Sequence, residues 1–425
     1  MVRVLYSLAL YLLLPYVGLR LWRRARRQPE YREHLGERFG AYDQEPGAPL
    51  VWLHAVSVGE TRAAQPLVAA LMAQYPRHRI LVTHMTPTGR QTSADLFGDR
   101  VSRAYLPYDF PFAVARFLDR FRPEIGLIME TELWPNLVAA CECRHVPLLL
   151  VNARMSEKSA RRYARFPGLA RDTLRRLSAI AAQTEDDAMR LRALGAPEVA
   201  VTGNVKFDIV PAGEQLEKGR ALRALIGPRP VLLVASSREG EEALVLDALA
   251  RQTLGDALLL IVPRHPQRFD EVATLVAARG LALQRRTAGG TIAAQTRVLL
   301  GDTMGELYAY YAACDVAFVG GSLLPLGGQN LIEACAVGTP ALVGPHTFNF
   351  AQATEQAVAA GAARRVADAG ELLQMADALL RDAPAREAMS EAGKTFAARH
   401  RGATMRTMQI VARALAGTTR RHTPT

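Results

Sequence analysis

The stretch VWLHAVSVGE, residues 51–60, is an apolar run that ends in a polar turn containing a glycine, and the helical pattern TRAAQPLVAALMAQ follows it at 61–74. A buried strand that feeds a helix through such a turn is typical of α/β proteins, which place their chemistry at the carboxyl edge of the sheet. Glu60, the last residue of the stretch, is therefore a candidate for catalysis.

The same alternation of apolar runs and helical segments fills most of the chain. Between 49 and 208 the runs are PLVWLH, RILVTH, EIGLIME, PLLLVN and EVAVTGN, and after 230 they are VLLVASS, LLLIVPRH, TRVLLGD, VAFVGGS and PALVGP. Continuous apolar strands between amphipathic helices predict an α/β fold with parallel sheets covered on both faces. A chain of 425 residues is long enough for two such doubly wound domains of roughly 200 residues.

The segment at 208–230 breaks this rhythm, because it contains three prolines and no strand-like run. We interpret 209–229 as the connection between domains. The predicted division is then a domain at 28–208 and a second domain at 230–425.

Residues 1–27 have the composition of a membrane anchor. The run VLYSLALYLLLPYVGL at 4–19 is uncharged, and Arg20, Arg23, Arg24, Arg26 and Arg27 follow it. Sixteen residues form a helix of about 24 Å, which approaches the hydrocarbon thickness of a bilayer if Leu21 and Trp22 extend it. The arginines argue against a cleaved leader and predict that the body of the protein lies in the cytoplasm. The alternative is a buried core helix.

The charge balance indicates the class of partner, and the cysteines indicate the redox compartment. An excess of 52 Lys+Arg over 41 Asp+Glu predicts anionic partners, such as nucleic acid, a membrane surface or phosphorylated substrates. Four cysteines predict no disulfide framework and fit a reducing compartment. Cys141, Cys143 and His145 are two residues apart on a helical pattern and therefore point in different directions, so we predict no metal site.

Polar residues gather directly after the apolar runs of the first domain: HAVSVGE at 54–60, HMTPTG at 84–89, ETELWPN at 130–136, NARMSEKS at 152–159 and TGNVKFD at 202–208. The carboxyl ends of parallel strands share one edge, so these segments predict a pocket rim. The ionisable candidates are Glu60, Glu130, Glu132, Arg154 and Lys206. A structural alternative exists, in which Glu60 caps the following helix and Arg154 pairs with Glu130.

The second domain carries groups suited to a phosphate. VASSREGEE at 234–242 and VPRHPQRF at 262–269 end strands, the latter with Arg264, His265 and Arg268. Gly327 and Gly328 precede the helical pattern QNLIEACA, where they would let the backbone approach an anion, with Glu333 placed toward ribose hydroxyls. A solvated basic loop is the alternative. Neither G-x-G-x-x-G nor a Walker sequence is present there, so the pattern favours a nucleotide-sugar.

The segments HAVSVGE, ETELWPN, NARMSEKS, TGNVKFD, PRHPQRF, DTMGEL and GGSLLPLGGQNLIEACAVGTPALVGPHTFNF, in this order behind a basic anchor, resemble the Kdo (3-deoxy-D-manno-octulosonic acid) transferases of Gram-negative bacteria. The resemblance extends to about residue 400. It implies the GT-B arrangement, two facing Rossmann-like domains that bind the acceptor and the nucleotide-sugar respectively. It also implies inverting transfer of Kdo from CMP-Kdo to a sugar hydroxyl of a lipid A precursor, lipid IVA, in lipopolysaccharide core biosynthesis.

The resemblance also carries roles onto matching residues. Glu60 resembles the general base, and Glu130 and Lys206 resemble the stabilisers of the transition state. The positions that match those binding CMP are Arg264, His265, Thr303, Met304, Gly305, Asn330, Leu331, Ile332 and Glu333. The resemblance implies no metal, no cofactor and no nucleic-acid partner, and it implies attachment to the cytoplasmic side of the inner membrane.

Two other functions compete with this one. A different nucleotide-sugar enzyme, such as a UDP-sugar transferase or epimerase, would use the same glycine-rich segment. A membrane-tethered protein that binds anionic lipid or nucleic acid without catalysis would need only the basic surface. Glu60 and Glu130 at a sheet edge argue against the pure binder, and competition by CMP rather than UDP would separate the two enzymes.

Overall fold

The computed structural model of the chain describes residues 2–43 and 49–419, and it divides into two compact units. One unit is Met1–Ile209 with Arg401–Thr425, and the other is Val210–His400. Three parts of the chain lie outside the described residues: Met1 of the predicted segment 1–27, residues 44–48 of the segment 28–208, and residues 420–425 of the segment 230–425.

The first unit contains a seven-stranded parallel sheet. Its strands are β1 (Leu50–His54), β2 (Arg79–His84), β3 (Ser102–Tyr105), β4 (Ile125–Met129), β5 (Leu148–Ala153), β6 (Ala179–Ala182) and β7 (Ala200–Val201). They lie in the order β3-β2-β1-β4-β5-β6-β7. Every described neighbouring pair is parallel, which confirms the α/β fold predicted from the alternating runs.

Burial on both faces explains why these runs are continuously apolar. The strands β1, β4 and β5 are buried at every residue. The Trp52 ring packs so closely on β4 that a Cβ on Gly126 would lie 2.6 Å from it. Its indole Nε1 donates to Thr83 Oγ1 at 2.7 Å, so this large side chain keeps its polar atom paired inside the core.

Helices cover both faces of the first sheet. They are α1 (Val2–Leu12), α2 (Leu14–Arg27), α3 (Val58–Ala63), α4 (Gln65–Gln74), α5 (Pro87–Phe97), α6 (Pro111–Phe121), α7 (Pro135–Cys143), α8 (Glu157–Tyr163), α9 (Pro167–Arg175), α10 (Glu185–Ala193) and, from the end of the chain, α19 (Ala403–Thr419). One core cluster joins the sheet to α6, α7, α9 and α10. The other joins its opposite face to α4, α5 and α19.

The N-terminal helices α1 and α2 lie largely outside this core. Val4, Leu5 and Leu8 are 60%, 60% and 55% exposed, and α1 buries none of its residues. The alternative of a buried core helix is therefore wrong. Among the described residues no single helix is long and apolar enough to cross a membrane, although α1 and α2 together, bent by 51°, have the necessary length and composition.

The second unit contains another seven-stranded parallel sheet. Its strands are β8 (Val231–Ser237), β9 (Leu258–Pro263), β10 (Leu283–Arg285), β11 (Val298–Leu300), β12 (Val316–Val319), β13 (Ala341–Val343) and β14 (Ala363–Arg365), in the order β10-β11-β9-β8-β12-β13-β14. Its helices are α11 (Gly213–Ile226), α12 (Glu241–Arg251), α13 (Phe269–Ala277), α14 (Leu307–Ala313), α15 (Ile332–Val337), α16 (Ala351–Ala359), α17 (Ala369–Arg381) and α18 (Ala383–Arg399).

Both sheets have a topological switch point at their first strand. The chain moves outward from β1 through β2 to β3 and then returns to the other side of β1 with β4. It does the same around β8, with β9 on one side and β12 on the other. In open α/β sheets ligands bind outside the carboxyl ends of the strands at such a point. The segments that follow β1 and β4, and those that follow β8 and β12, are therefore placed for function.

The structure differs from the predicted domain division at two helices. The segment 209–229, predicted as a connection, contains α11, which packs on α14 so closely that a Cβ on Gly219 would lie 2.6 Å from Ala312. Its prolines flank the helix instead of interrupting it. The helix α19, predicted within the domain 230–425, returns to the first unit, where Val411 and Leu415 join the core.

Candidate active site

Glu60 lies at the carboxyl edge of the first sheet, in the first turn of α3. Its Oε2 accepts the backbone N–H of Val56 at 2.8 Å, and its Oε1 accepts the hydroxyl of Ser57 at 3.2 Å. These bonds close the turn between β1 and α3 and hold the carboxylate in one orientation. The helix begins at Val58 and its N-cap residue, Ser57, makes no side-chain capping bond, so Glu60 does not act as the cap of a helix starting at Thr61.

The surroundings of Glu60 favour its protonated form. Burial is the main cause that raises its pKa, to about 8, and the negative charges of Glu130 and Glu132 act in the same direction. The bonds from Val56 and Ser57 oppose the shift in part. A carboxyl group with a pKa near the working pH can both accept and release a proton, which is the property a general base needs.

Glu130, whose charge acts on Glu60, is paired with Lys206. Lys206 Nζ is 3.3 Å from Glu130 Oε1, and both side chains are about one-fifth exposed. Glu130 follows β4 with a φ of 60°, a left-handed conformation that is strained for a residue with a side chain and is typical of functional sites. Lys206 lies in a 3-10 helix, Val205–Asp208, whose first N–H bonds Asn152 Oδ1 on β5 at 3.1 Å.

Asp109 fixes the helix that follows the ETELWPN segment. Its two carboxylate oxygens accept the N–H groups of Asn136 and Leu137 at the start of α7, at 2.9 and 2.8 Å. Ser7 of α1 donates to Asn136 Oδ1 at 3.0 Å. The loop that carries Glu130 and Glu132 is thus held at its far end, and α1 is attached to the same point.

The two strand-end histidines belong to the core. His54 and His84 are fully buried, and burial lowers their pKa values to about 3 and about 4. The Nδ1 atoms lie 3.1 Å from Thr83 O and 2.9 Å from Ala55 O. Their position agrees with neutral histidines that hydrogen-bond a neighbouring turn.

In the second unit, Arg264 and His265 follow β9 directly. The Arg264 N–H donates to Ser237 O at 2.9 Å, so these residues lie beside the end of β8. Burial lowers the pKa of His265, and the positive charges of Arg264, Arg238 and Arg268 lower it further. Three arginines and one histidine therefore lie close together at one sheet edge, which suits a bound anion.

Thr303, Met304 and Gly305 form the turn after β11. The Thr303 hydroxyl bonds Glu306 Oε2 at 2.8 Å and Tyr310 Oη at 2.5 Å. Gly305 has a φ of 78°, and the Met304 side chain is about half exposed. This turn presents backbone groups and one apolar side chain to its surroundings.

The helix α15 begins at Ile332, three residues after the start of the helical pattern QNLIEACA at Gln329, so Asn330 and Leu331 precede the helix. Asn330 Oδ1 accepts the Ile332 N–H at 3.2 Å, and its Nδ2 donates to Glu333 Oε1 at 3.1 Å. The side chains of Leu331 and Ile332 are buried in the unit. These two residues can therefore meet a ligand only through their backbones.

The glycines before this segment have a structural reason. A Cβ on Gly327 would lie 2.3 Å from Asn349 Nδ2, and the φ of Gly327 is 96°. Gly328 has a φ of 76° and approaches the backbone of Thr347. Close packing of two loops of the unit, and not only the approach of a ligand, requires glycine here.

Within residues 2–43 and 49–419, the structure brings no group of three or more His, Cys, Asp or Glu together in a way that could hold a metal ion. Cys141 and Cys143 are on α7, with Cys141 buried and Cys143 exposed. They face different surroundings, as expected for helical neighbours two apart.

Comparison with known proteins decides the family. Residues 33–209 match the family described as 3-deoxy-D-manno-octulosonic-acid transferase (kdotransferase). A 3-deoxy-D-manno-octulosonic acid transferase of Bordetella pertussis is 49% identical over 96% of this chain and 98% of its own. The chain belongs to the Kdo transferase family. A relative with the same name from Haemophilus influenzae is 38% identical over 91% of this chain and 92% of its own.

Membership of the Kdo transferases makes the chain a glycosyltransferase of lipopolysaccharide biosynthesis, as the resemblance implied. A solved structure of a glycosyltransferase from Rickettsia africae matches 88% of this chain and 99% of its own, with a TM-score of 0.60 and 15% identity. At this identity the likeness concerns the fold alone. It agrees with the two α/β units described above.

Two features of this Kdo transferase were not singled out from its sequence. Ser57 and Glu60 match the capping-box spacing S-x-x-E, so the orienting bond of Ser57 could have been found. Glu241 is fully buried and accepts four backbone N–H groups, from Arg238, Gly321, Ser322 and Leu323, at 2.6 to 3.0 Å. It ties the loop after β8 to the loop after β12, a long-range pairing that no local pattern indicates.

Proposed function

We propose that this Kdo transferase moves Kdo from CMP-Kdo to a sugar hydroxyl of a lipid A precursor, lipid IVA, with inversion at the anomeric carbon and with Glu60 as general base. The observation that carries the proposal is the oriented Glu60 carboxyl group at the switch point of the first sheet, with its raised pKa. The resemblance of HAVSVGE, ETELWPN and TGNVKFD to the family pattern supports the same assignment.

In this reaction the acceptor hydroxyl attacks the anomeric carbon while Glu60 accepts its proton. The new glycosidic C–O bond forms as the bond from the anomeric carbon to the phosphate oxygen breaks, and CMP leaves with that electron pair. Attack from the side opposite the leaving group inverts the centre. General-base assistance of this kind contributes typically about 10²- to 10⁴-fold to the rate.

Glu130 and Lys206 would stabilise the charges that change during transfer. The ammonium of Lys206 lies 3.3 Å from Glu130, whose charge acts on the proposed base. A cation held in a partly buried site offsets developing negative charge without reorganisation. The Glu130 carboxylate in turn orients Lys206 and raises the proton affinity of Glu60.

The CMP part of the donor would occupy the carboxyl edge of the second sheet. Arg264 and His265 at the end of β9 would hold the phosphate, with Thr303, Met304 and Gly305 and the segment Asn330, Leu331, Ile332 and Glu333 around the nucleoside. A single phosphate can be held by side chains and backbone N–H groups. The scheme therefore needs no divalent cation, and we expect chelators to leave the rate largely intact.

The N-terminal helices would hold the enzyme at the cytoplasmic side of the inner membrane, where its phosphorylated glycolipid acceptor lies. The exposed Val4, Leu5 and Leu8 give α1 an apolar surface. Arg23, Arg24 and Arg26 follow it on α2. Each arginine near an anionic surface adds about 1 kcal/mol of attraction.

Purified protein incubated with CMP-Kdo and lipid IVA tests the proposal, with mass spectrometry of the glycolipid as the readout. We expect a mass increase by one or more Kdo residues, inhibition by CMP, no inhibition by UDP, and little effect of a chelator. Absence of transfer, transfer from a UDP-sugar instead, or a complete and metal-reversible loss with chelator would contradict the scheme.

A further inference from the structure

Arg238 lies at the switch point of the second sheet. It is the first residue after β8, the strand that lies between β9 and β12. Its side chain is partly buried. Ligands of open α/β sheets bind outside the strand ends at this point, so a cation here lies where a ligand is expected.

Arg238 is next to both loops that serve the donor. On one side, Arg264 donates its N–H to Ser237 O, so the residues that follow β8 and β9 run side by side. The charge of Arg238 acts on His265 from there. On the other side, a Cβ on Gly321 would lie 3.5 Å from Arg238 Cγ. The side chain therefore lies between the Arg264–His265 pair and the glycine-rich loop.

The two buried acids near Arg238, Glu241 and Glu242, are engaged elsewhere. Glu241 is occupied by four backbone N–H groups. Glu242 Oε1 accepts from Ser237 Oγ at 2.7 Å and pairs with Arg268 at 2.6 Å. Arg268 also pairs with Glu271, at 2.8 Å.

Arg238 differs from Arg268 because, among the described residues, no carboxylate pairs with its guanidinium. Within the described part of the chain, its backbone N–H donates to Glu241, and its guanidinium has no hydrogen-bond or ion-pair partner. A partly buried guanidinium that its own protein leaves unpaired is available to an anionic group of a ligand.

We propose that Arg238 binds the carboxylate of the sugar acid carried by the nucleotide donor. The inference rests on the proposed function, because it takes the donor to be a CMP-linked sugar acid. Such a donor has two anions, a phosphate and a carboxylate, and Arg264 with His265 accounts for the first. The planar fork of a guanidinium matches a carboxylate through two parallel N–H···O bonds. A neutral sugar would leave this cation unpaired, so Arg238 selects donors by their acid group.

The test compares a ligand that has the carboxylate with one that lacks it. CMP binding is measured by calorimetry and CMP-Kdo turnover by mass spectrometry for the full-length wild type, Arg238→Ala and Arg238→Lys. Arg251→Ala is the matched control, because Arg251 is an exposed arginine at the opposite end of α12. We expect Arg238→Ala to raise the KM for CMP-Kdo about 10- to 100-fold and to change the Kd for CMP less than about twofold.

The other variants sharpen this expectation. Arg238→Lys keeps the charge but loses the fork, and we expect an intermediate KM. Binding of the carboxylate in both the ground state and the transition state predicts a larger change in KM than in kcat. Thermal unfolding of each variant shows whether it is folded. If Arg238→Ala is not folded, the comparison of Arg238→Lys with the wild type tests the proposal.

The remaining outcomes are distinct. Equal weakening of CMP and CMP-Kdo would overturn the inference in favour of a phosphate contact, and an unchanged KM would overturn it outright. A wild-type protein that does not bind CMP or transfer Kdo would instead contradict the proposed function.

Discussion

At the scale of single residues, the surroundings of the Glu60 carboxyl group act on its pKa in opposite directions. Bonds from Val56 and Ser57 orient it and favour its charged form, whereas burial and the nearby carboxylates favour the neutral form. The second influence is larger, since the pKa is raised to about 8. The residue therefore remains fixed in place while it changes its protonation state near neutral pH.

This balance predicts the pH dependence of the reaction. Because the pKa of Glu60 is raised, the carboxyl group is protonated below about pH 8 and cannot accept a proton there. We expect kcat/KM for Kdo transfer to rise with pH until about 8 and then to level off. A profile measured from pH 5 to 9.5 checks this, and a rate that is already constant above pH 5 would contradict the assignment of Glu60 as the base.

Neutralising the neighbour should move that profile. Glu130 is the largest electrostatic contributor to the raised pKa of Glu60, and Glu132 contributes less. We expect Glu130→Gln to shift the acid limb of kcat/KM to lower pH, toward the ordinary value of a carboxyl group, and to lower the plateau. The matched variant Glu132→Gln should give a smaller shift. Identical profiles for all three proteins would show that these carboxylates do not interact.

These residues could be selected from the sequence, but the contacts between them could not be predicted. Glu60, Glu130 and Lys206 each follow a strand, and parallel strands place such residues at one edge. Nothing local indicated that Lys206 would contact Glu130 across 76 positions. The left-handed backbone of Glu130 was equally hidden, because the surrounding structure imposes it.

At the scale of secondary structure, ten of the fourteen strands among the described residues were predicted from their continuous apolar runs, whereas the short strands β3, β6, β10 and β14 were not among those runs. The two helices that were misplaced share one cause. For α11 the flanking Pro211 and Pro228 resembled a linker, although proline disrupts a helix only inside it. The residues of α19 were assigned to the second domain by their position in the chain, because which sheet a helix covers depends on tertiary packing and not on local sequence.

Besides its apolar packing, α19 is attached to the first unit by the carboxylate of Asp208. Asp208 Oδ1 accepts the Gly402 N–H at 2.6 Å and its Oδ2 accepts the Thr404 N–H at 2.5 Å, so Asp208 caps the helix from a distant part of the chain. It ends the 3-10 helix that carries Lys206. The cap therefore supports both the helix and the segment of the proposed active site.

Removing this cap should destabilise the protein measurably. We expect Asp208→Ala to lower the free energy of unfolding by about 1–3 kcal/mol, because two N–H groups at a helix start lose a charged acceptor. Urea unfolding followed by circular dichroism checks this. Glu391→Ala removes an exposed i,i+3 partner of Lys394 and should cost less than about 0.5 kcal/mol. Equal effects would argue against a special role of Asp208.

At the scale of the whole molecule, the excess of 11 positive charges is concentrated in part near the N terminus. Arg20, Arg23, Arg24 and Arg26 surround Trp22 on α2. The bend of 51° between α1 and α2 separates this basic surface from the apolar surface of α1. Such an arrangement suits attachment to an anionic bilayer.

This arrangement predicts the strength of membrane attachment. We expect the triple variant Arg23→Gln, Arg24→Gln, Arg26→Gln to bind vesicles that contain about 30% anionic lipid on the order of 100-fold more weakly, since three arginines at about 1 kcal/mol each contribute about 3 kcal/mol. Flotation with the vesicles measures the change. Zwitterionic vesicles and the variant Arg251→Gln are the controls. An equal loss of binding to both vesicle types would indicate a folding defect and contradict an electrostatic role.

The central claim, that Glu60 removes the proton of the acceptor hydroxyl, is tested most directly by single-turnover Kdo transfer with Glu60→Gln. The amide keeps an oxygen that can accept the Val56 N–H but cannot take a proton. The account predicts a rate about 10²- to 10⁴-fold lower than that of the wild type, with the Kd for CMP unchanged and without an acid limb at about pH 8. A Glu60→Gln enzyme that transfers Kdo within about threefold of the wild-type rate would contradict it.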